Sequence, residues 1–383
     1  MTAEMLVYVG TYTEPIRFGT GKVLQGKGEG IYVFRMDPDS GALQPAGTAT
    51  GVVNPSYLAF DATQRFLYAV NELKSYHDQP TGTVSAFAVD PTTGALALLN
   101  RQPTHGTDPC HVVVDRHRKH VFVANFMSGS VCVLPVRDDG SLDAACDFIQ
   151  HQGAGIDPVR QNGPHAHSVT LDRTNRHAFV PDLGLDKLLI YQFDAKRGML
   201  EPNGVPWIKM RPGAGPRHVA LHPGGRFAYL INELNSTVAA LACDRKTGAF
   251  QQLQVVPTLP DGFRGESTGA DIQVAPSGRF VYASNRGHDS IAIHRIDPRS
   301  GRLTYVDHAA AQGRTPRSFC LDPGGRLLLV ANQDSDTIVT FRIDARSGKL
   351  QPTGHVAHVP TPVCVKIRAP AIATSKGGHA WRQ

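Results

Sequence analysis

The chain has 383 residues, 41% of them hydrophobic, with 38 glycines, 27 prolines and a formal net charge of +6. This composition supports a packed core and leaves out two classes of protein: no apolar run approaches the 18 residues of a membrane span, and no Lys/Arg run makes a nucleic-acid surface. The positive excess fits a local basic pocket for an anionic small molecule, with no membrane and no nucleic acid among the partners.

In chain order, the N-terminus MTAEMLVYVGTY has no basic region followed by an apolar stretch, and a strand starts at VYVG. A Gly- and Lys-bearing segment, 13–29, precedes the second strand GIYVFRM, which runs into the turn DPDSGAL at Asp37–Leu43. The same turn returns as DPTTGAL (90–96), DAKRGML (194–200), DRKTGAF (244–250), DPRSGRL (297–303) and DARSGKL (344–350). A shortened copy, DDGSL, occupies 138–142. An Asp that bonds turn amides and a Gly that accepts positive φ make a hairpin. The seven glycines are spaced by 53, 46, 58, 50, 53 and 47 residues, so the hairpin belongs to a repeat of about fifty residues. Between the turns recur two-strand cores such as LAFDATQRFLYAVNE, VVVDRHRKHVFVANF and IQVAPSGRFVYASNR.

Six such cores are complete. The first unit has second, third and fourth strands but no first, and PVCVKI (362–367) supplies a strand much like PRSFCL (316–321). The sequence therefore predicts an all-β fold: a seven-bladed β-propeller of four-stranded blades spanning 1–368, closed by a C-terminal strand in the first blade. The patternless tail 369–383 is expected to be disordered. The six cysteines lack CxxC pairing or matched histidine spacing, which predicts buried free thiols in a reducing, cytoplasmic setting.

In a propeller the start of each first strand and the end of each second strand lie at one mouth of the channel, the default ligand site. The Asn or Asp that ends the second strand in six of the seven blades (71, 125, 182, 232, 285, 332) is repeated, so it reads as structural. Blade-specific residues carry the information. Glu72, Glu233 and Arg286 follow that Asn, Arg217 and Arg317 stand at first-strand starts, and PHAHS contains the pair His165 and His167. Without an evident third ligand that pair is not read as a metal site, and no cofactor is implied. The alternative for Arg217, Glu233 and Arg286 is a salt-bridge set holding the mouth. Two guanidinium groups near one carboxylate would still leave charge for an anion.

The ensemble NPSYLAFD, PCHVVVD, GPHAHSVTLD, GPRHVALHPGGRFAYLINEL, GADIQVAPSGRFVYASNRGHDSI and TPRSFCLDPGGR resembles the seven-bladed lactonase family over roughly residues 5–368. That family includes propeller-type 6-phosphogluconolactonase and the carboxy-cis,cis-muconate lactonising enzyme. The resemblance implies a catalytic set of His167 (or His165), Arg217, Glu233 and Arg286. His165, His111, Glu72, Asn285, Asp271 and Arg317 are expected to bind substrate. Hydrolysis of a sugar lactone follows, with an Arg polarising the carbonyl and Glu or His taking a proton from water. A cycloisomerase using the same residues on a muconate, or a non-catalytic binding propeller, are the alternatives. Either a monomer or a homodimer is compatible. The 13–29 insert departs from the family pattern and is expected to reshape the mouth.

Overall fold

The structure, a computed structural model, describes residues 5–369. All but the first residue of the 369–383 tail lies outside them. Seven four-stranded antiparallel sheets form a ring. Blade 1 runs from the channel outward as Pro362–Arg368, Met5–Thr11, Gly30–Met36 and Leu43–Thr50. The other innermost strands are Tyr57–Phe60, Pro109–Val114, Thr170–Leu171, Pro216–Leu221, Thr268–Val274 and Pro316–Leu321 for blades 2 to 7. The terminal strand pairs Val7 with Ile367 and Val9 with Val365. This closure leaves the first blade no open inner edge.

Second strands such as Phe66–Asn71, Phe227–Asn232 and Leu327–Asn332 are buried at every position, because each is covered by a neighbouring blade on both faces. Their near-continuous apolar sequences reflect that double burial. The core accordingly lies between blades. Tyr282 and Ile291 of blade 6 pack with Phe319, Val330 and Phe341 of blade 7, and Val7, Val9 and Phe34 of blade 1 pack with Leu329 and Ile338 of blade 7.

The hairpins between third and fourth strands follow the predicted chemistry. Asp297 Oδ1 accepts the backbone N–H groups of Arg299 (3.1 Å) and Ser300 (2.7 Å), and Gly301 takes φ 71°. In the shortened copy the acceptor is Asp139, not Asp138: its Oδ1 takes the Ser141 N–H at 2.9 Å. The glycines meet a second demand that the sequence did not reveal. A Cβ on Gly301 would lie 2.3 Å from Phe227 of the preceding blade, and one on Gly348 would lie 2.5 Å from Phe280. The carbonyls of Gly94, Gly140, Gly301 and Gly348 accept the hydroxyls of Tyr8, Tyr68, Tyr229 and Tyr282 at 2.7–3.0 Å. The turn is thus both a hairpin and a blade-to-blade joint.

One expectation needs correction, and one inner strand is shorter than the others. Cys110, Cys132 and Cys364 are buried free thiols, but Cys243 and Cys320 are half-buried and Cys146 is exposed. The inner strand of blade 4 is only Thr170–Leu171, so the PHAHS segment is not a regular strand. His165 N–H bonds Asp182 Oδ1 (2.8 Å) and His167 N–H bonds Pro181 O (3.0 Å), an irregular path in which alternate residues need not share a face.

Candidate active site

Three inner strands open with Pro-X-His or Pro-X-Ser, and each slips register at X. Pro109 and His111 pair with Asn125 and Ala124, Pro216 and His218 with Asn232 and Ile231, and Pro316 and Ser318 with Asn332 and Ala331. The bulged residues are Cys110, Arg217 and Arg317. A bulge re-aims a side chain that a regular pleat would send elsewhere. Two guanidinium groups are delivered to the channel mouth in this way.

The mouth holds a cavity of about 260 Å³ whose lining includes Glu72, His167, Glu233, Arg286 and Arg317. At its centre Glu233, 4% exposed, accepts from Arg217 Nε (2.9 Å) and a terminal nitrogen of Arg160 (2.6 Å), and forms an ion pair with Arg286 (3.0 Å), whose terminal nitrogen donates to Gly269 O. Burial alone would raise this carboxyl, but Arg286, Arg160 and Arg217 hold it well below the usual carboxylate range. Three cations on one anion leave the group net positive. Burial pushes Arg286 down to about 10, against the attraction of Glu233, so it stays charged at neutral pH. Its Nε is buried and has no acceptor.

His167 Nε2 lies 3.9 Å from Glu233 Oε2, and Nδ1 lies 3.7 Å from Cys110 Sγ. Burial, then Arg217 and His218, holds the imidazole well below its ordinary value, so it is neutral at pH 7. Glu72 accepts the Tyr12 hydroxyl at 3.0 Å, and burial raises its carboxyl against the pull of Arg317.

Arg217 is not in the wall of the main cavity. It lines a recess of about 10 Å³ that shares Glu72, Cys110, His167 and Arg317 with that cavity. A recess of this size holds about one oxygen-sized atom. Two guanidinium groups therefore border a single-oxygen site at the foot of the mouth.

The 13–29 insert forms a lid. Ile16–Arg17 pairs with Val23–Leu24, and buried Ile16 packs on Tyr12 and Val363. Arg17, Phe18 and Lys22 join the cavity wall. Tyr12 and Phe18 place their rings 5.5 and 5.4 Å from the Arg317 guanidinium carbon, which orients that side chain by cation–π attraction.

Several nominated residues lie elsewhere. His165 stacks on Phe126 (4.8 Å between ring centres) and its Nδ1 contacts Phe126 O at 3.0 Å, outside the cavity wall. Asn285 donates to Thr258 O (2.6 Å) and accepts from Thr258 Oγ1 (2.6 Å), a structural tie that leaves nothing for a ligand. His111 and Asp271 line a different chamber, of about 610 Å³, farther down the channel. Irregular pairing explains their displacement, since His111 follows the bulge at Cys110 and Asp271 lies within the bulge at Ala270–Asp271, and both are directed to the lower channel. Arg160 was missed because it belongs to a blade-connecting loop with no repeat to mark it. The only trace was the longest turn-to-turn step, 58 residues. Among the described residues no group of three or more His, Cys, Asp or Glu is arranged to hold a metal ion.

The model of the family described as "Lactonase, 7-bladed beta-propeller" matches residues 6–367. A 6-phosphogluconolactonase of Bacillus subtilis is 38% identical over 82% of this chain and 84% of its own length. A periplasmic gluconolactonase of Pseudomonas aeruginosa superposes with a TM-score of 0.88 at 34% identity, covering 96% of this chain and 100% of that one. A putative 6-phosphogluconolactonase from Bacteroides fragilis gives 0.87 at 35% identity, covering 96% and 99%.

Proposed function

From the premise that this chain belongs to the seven-bladed β-propeller lactonase family, we propose that it hydrolyses a sugar lactone to the open-chain acid, with 6-phosphogluconolactone the first candidate. The observation that carries the reading is the single-oxygen recess, bordered by Arg217, Arg317 and neutral His167, at the foot of a cationic cavity. The lactone carbonyl oxygen occupies that recess, and the two guanidinium groups stabilise the oxyanion that forms there.

His167 takes a proton from the attacking water as its oxygen bonds the carbonyl carbon. The imidazolium then protonates the ring oxygen when the acyl C–O bond breaks. The Glu233 carboxylate, 3.9 Å away, stabilises the imidazolium. Glu233 itself is a poor base, because Arg217 and Arg160 hydrogen-bond to it and these two with Arg286 depress its basicity by their charge. Arg286 and Arg160, with Arg17 and Lys22 of the lid, offer the positive charge that an anionic substituent such as a phosphate needs. A phosphorylated substrate implies action in the cytoplasm.

A pH-indicator assay over a panel of sugar lactones, phosphorylated and not, together with a carboxymuconate, tests the reading. Acid release from at least one sugar lactone supports it. Conversion of the muconate alone would replace hydrolysis with cycloisomerisation, and inertness to the whole panel would refute a catalytic mouth for this substrate class.

A further inference from the structure

The bulge that presents Arg217 also brings it against its chain neighbour. In a regular strand residues 217 and 218 would point to opposite faces, but here Arg217 Nη1 lies 3.3 Å from His218 Nε2. The other ring nitrogen, Nδ1, is 3.1 Å from Asp271 Oδ1. An ionised carboxylate can only accept, so Nδ1 carries the hydrogen and Nε2 of the neutral ring is left as an acceptor. Arg217, always a donor, completes the chain.

Asp271 is itself fixed from two blades. Its Oδ1 accepts the Ile272 N–H at 2.9 Å, its Oδ2 accepts the Ser318 hydroxyl at 3.1 Å and the Phe319 N–H at 3.3 Å, and its own N–H bonds Ser284 Oγ at 2.9 Å. His218 and Asp271 are 7% and 4% exposed. Asp271 belongs to blade 6, its clamps to blades 6 and 7, and His218 and Arg217 to blade 5. The line of bonds therefore runs across three blades and ends on the guanidinium beside the single-oxygen recess.

We propose that Asp271 and His218 are positioning residues that fix the tautomer and direction of one of the hydrogen bonds holding Arg217, beside those it donates to Glu233 and the Ala270 carbonyl, and so aim its guanidinium into the recess. The proposal rests on the lactonase reading for its kinetic consequence but not for its geometry. Asp271, on this account, serves the substrate indirectly, through His218.

The test uses substitutions at His218, which leave the clamps of Asp271 in place. His218→Gln puts an amide oxygen near the former Nε2, His218→Asn preserves a donor near the former Nδ1, and His218→Phe preserves only bulk. Loss of one hydrogen bond to a charged group lowers kcat by roughly 10-fold in His218→Phe and His218→Asn, with KM little changed, and His218→Gln recovers most of it. In an Arg217→Ala background His218→Phe costs nothing further, since the two act as one unit. Equal activity of the Asn and Gln variants, or losses that multiply in the double variant, would overturn the proposal.

A second readout needs no substrate. Nitrogen NMR of arginine-labelled protein reports rotation of the Arg217 guanidinium about Cζ–Nε, which becomes faster in His218→Phe and returns toward wild type in His218→Gln. Unchanged rotation in His218→Phe would sink the positioning claim even if every lactone in the panel were hydrolysed. Restricted rotation with no lactone turned over would instead uphold the geometry and reject the lactonase reading.

Discussion

The two faces of the ring are built from the same seven repeats and carry opposite kinds of information. On one face the hairpins are alike from blade to blade: an Asp that holds its own turn amides, then a glycine at positive φ docked on the preceding blade. On the other, the same strand ends bear a different residue in each blade, and those differences assemble Glu233, Arg286, Arg317 and His167 around one cavity, with Arg217 in the recess beneath it. The uniform face holds the ring together. The variable face carries the proposed chemistry. Changes to the first should cost stability and spare kinetics, and changes to the second should do the reverse.

The largest effect is expected where the ring closes. Removing residues from Pro362 onward takes away Val363, Cys364 and Val365, each at most 2% exposed, together with every bond of the terminal strand to Met5–Thr11. At roughly 1.5–3 kcal/mol per buried large apolar side chain, the loss approaches the whole stability of a domain. Circular dichroism and gel filtration should find an unfolded or aggregated chain, and an unchanged Tm would break the closed-ring account.

On the variable face, Arg286→Ala removes a cation that binds substrate equally in ground and transition states, so KM for an anionic lactone should rise by about 10–100-fold, as for one or two charge-assisted bonds, while kcat changes little. A fall in kcat at constant KM would move Arg286 from anchor to oxyanion donor. On the uniform face, Gly348→Ala forces a left-handed alanine and drives a Cβ toward Phe280. Denaturant unfolding should show a loss of about 1–3 kcal/mol with kcat and KM unaltered. Altered kinetics there would blur the distinction between faces.

The smallest effect is a pH dependence of stability. Burial, together with the charges of Arg217 and Lys366, holds His218 down to about 4; burial with His308 does the same to His294, and His111 and His167 lie well below the ordinary histidine range. Unfolded histidines take up protons from about pH 6.5 downward. The folded ones do not, so the stability they lend is complete above that pH and declines as it falls toward 4. Raised carboxyls at Glu72 and Asp108 oppose the trend, whereas the turn aspartates, with lowered values, add to it only below about pH 4. Calorimetry should give a lower Tm at pH 5 than at pH 7.5. A flat profile would mean that these rings are protonated, or solvated, in the fold.

This contrast between faces also sets what could be read from the sequence. Repetition advertises itself, so the seven hairpins, the missing first strand of blade 1 and its supply by residues 362–367 were legible. Glu72, His167, Glu233, Arg286 and Arg317 were legible as exceptions to the repeat, and they do meet at one cavity. Arg160 was not, because a connecting loop has no register against which an arginine stands out. His111 and Asp271 were assigned to the mouth because proximity along the strand was mistaken for a shared direction, whereas bulges at Cys110, Arg217 and the Ala270–Asp271 step divide the two levels of the channel. His165 failed for a related reason, since the segment it shares with His167 is not a strand. The lid was recognised as an insertion, but its small core on Tyr12 and its grip on Arg317 depend on contacts far apart in the chain.

Steady-state kinetics of Arg217→Ala and His167→Gln on a sugar lactone, with Tm measured for each, probe the single-oxygen recess most directly. Loss of an oxyanion donor should lower kcat about 10²–10³-fold in the first, and loss of the base about 10²–10⁴-fold in the second, with both proteins folded. Folded variants that turn the lactone over at near wild-type rates would contradict the account.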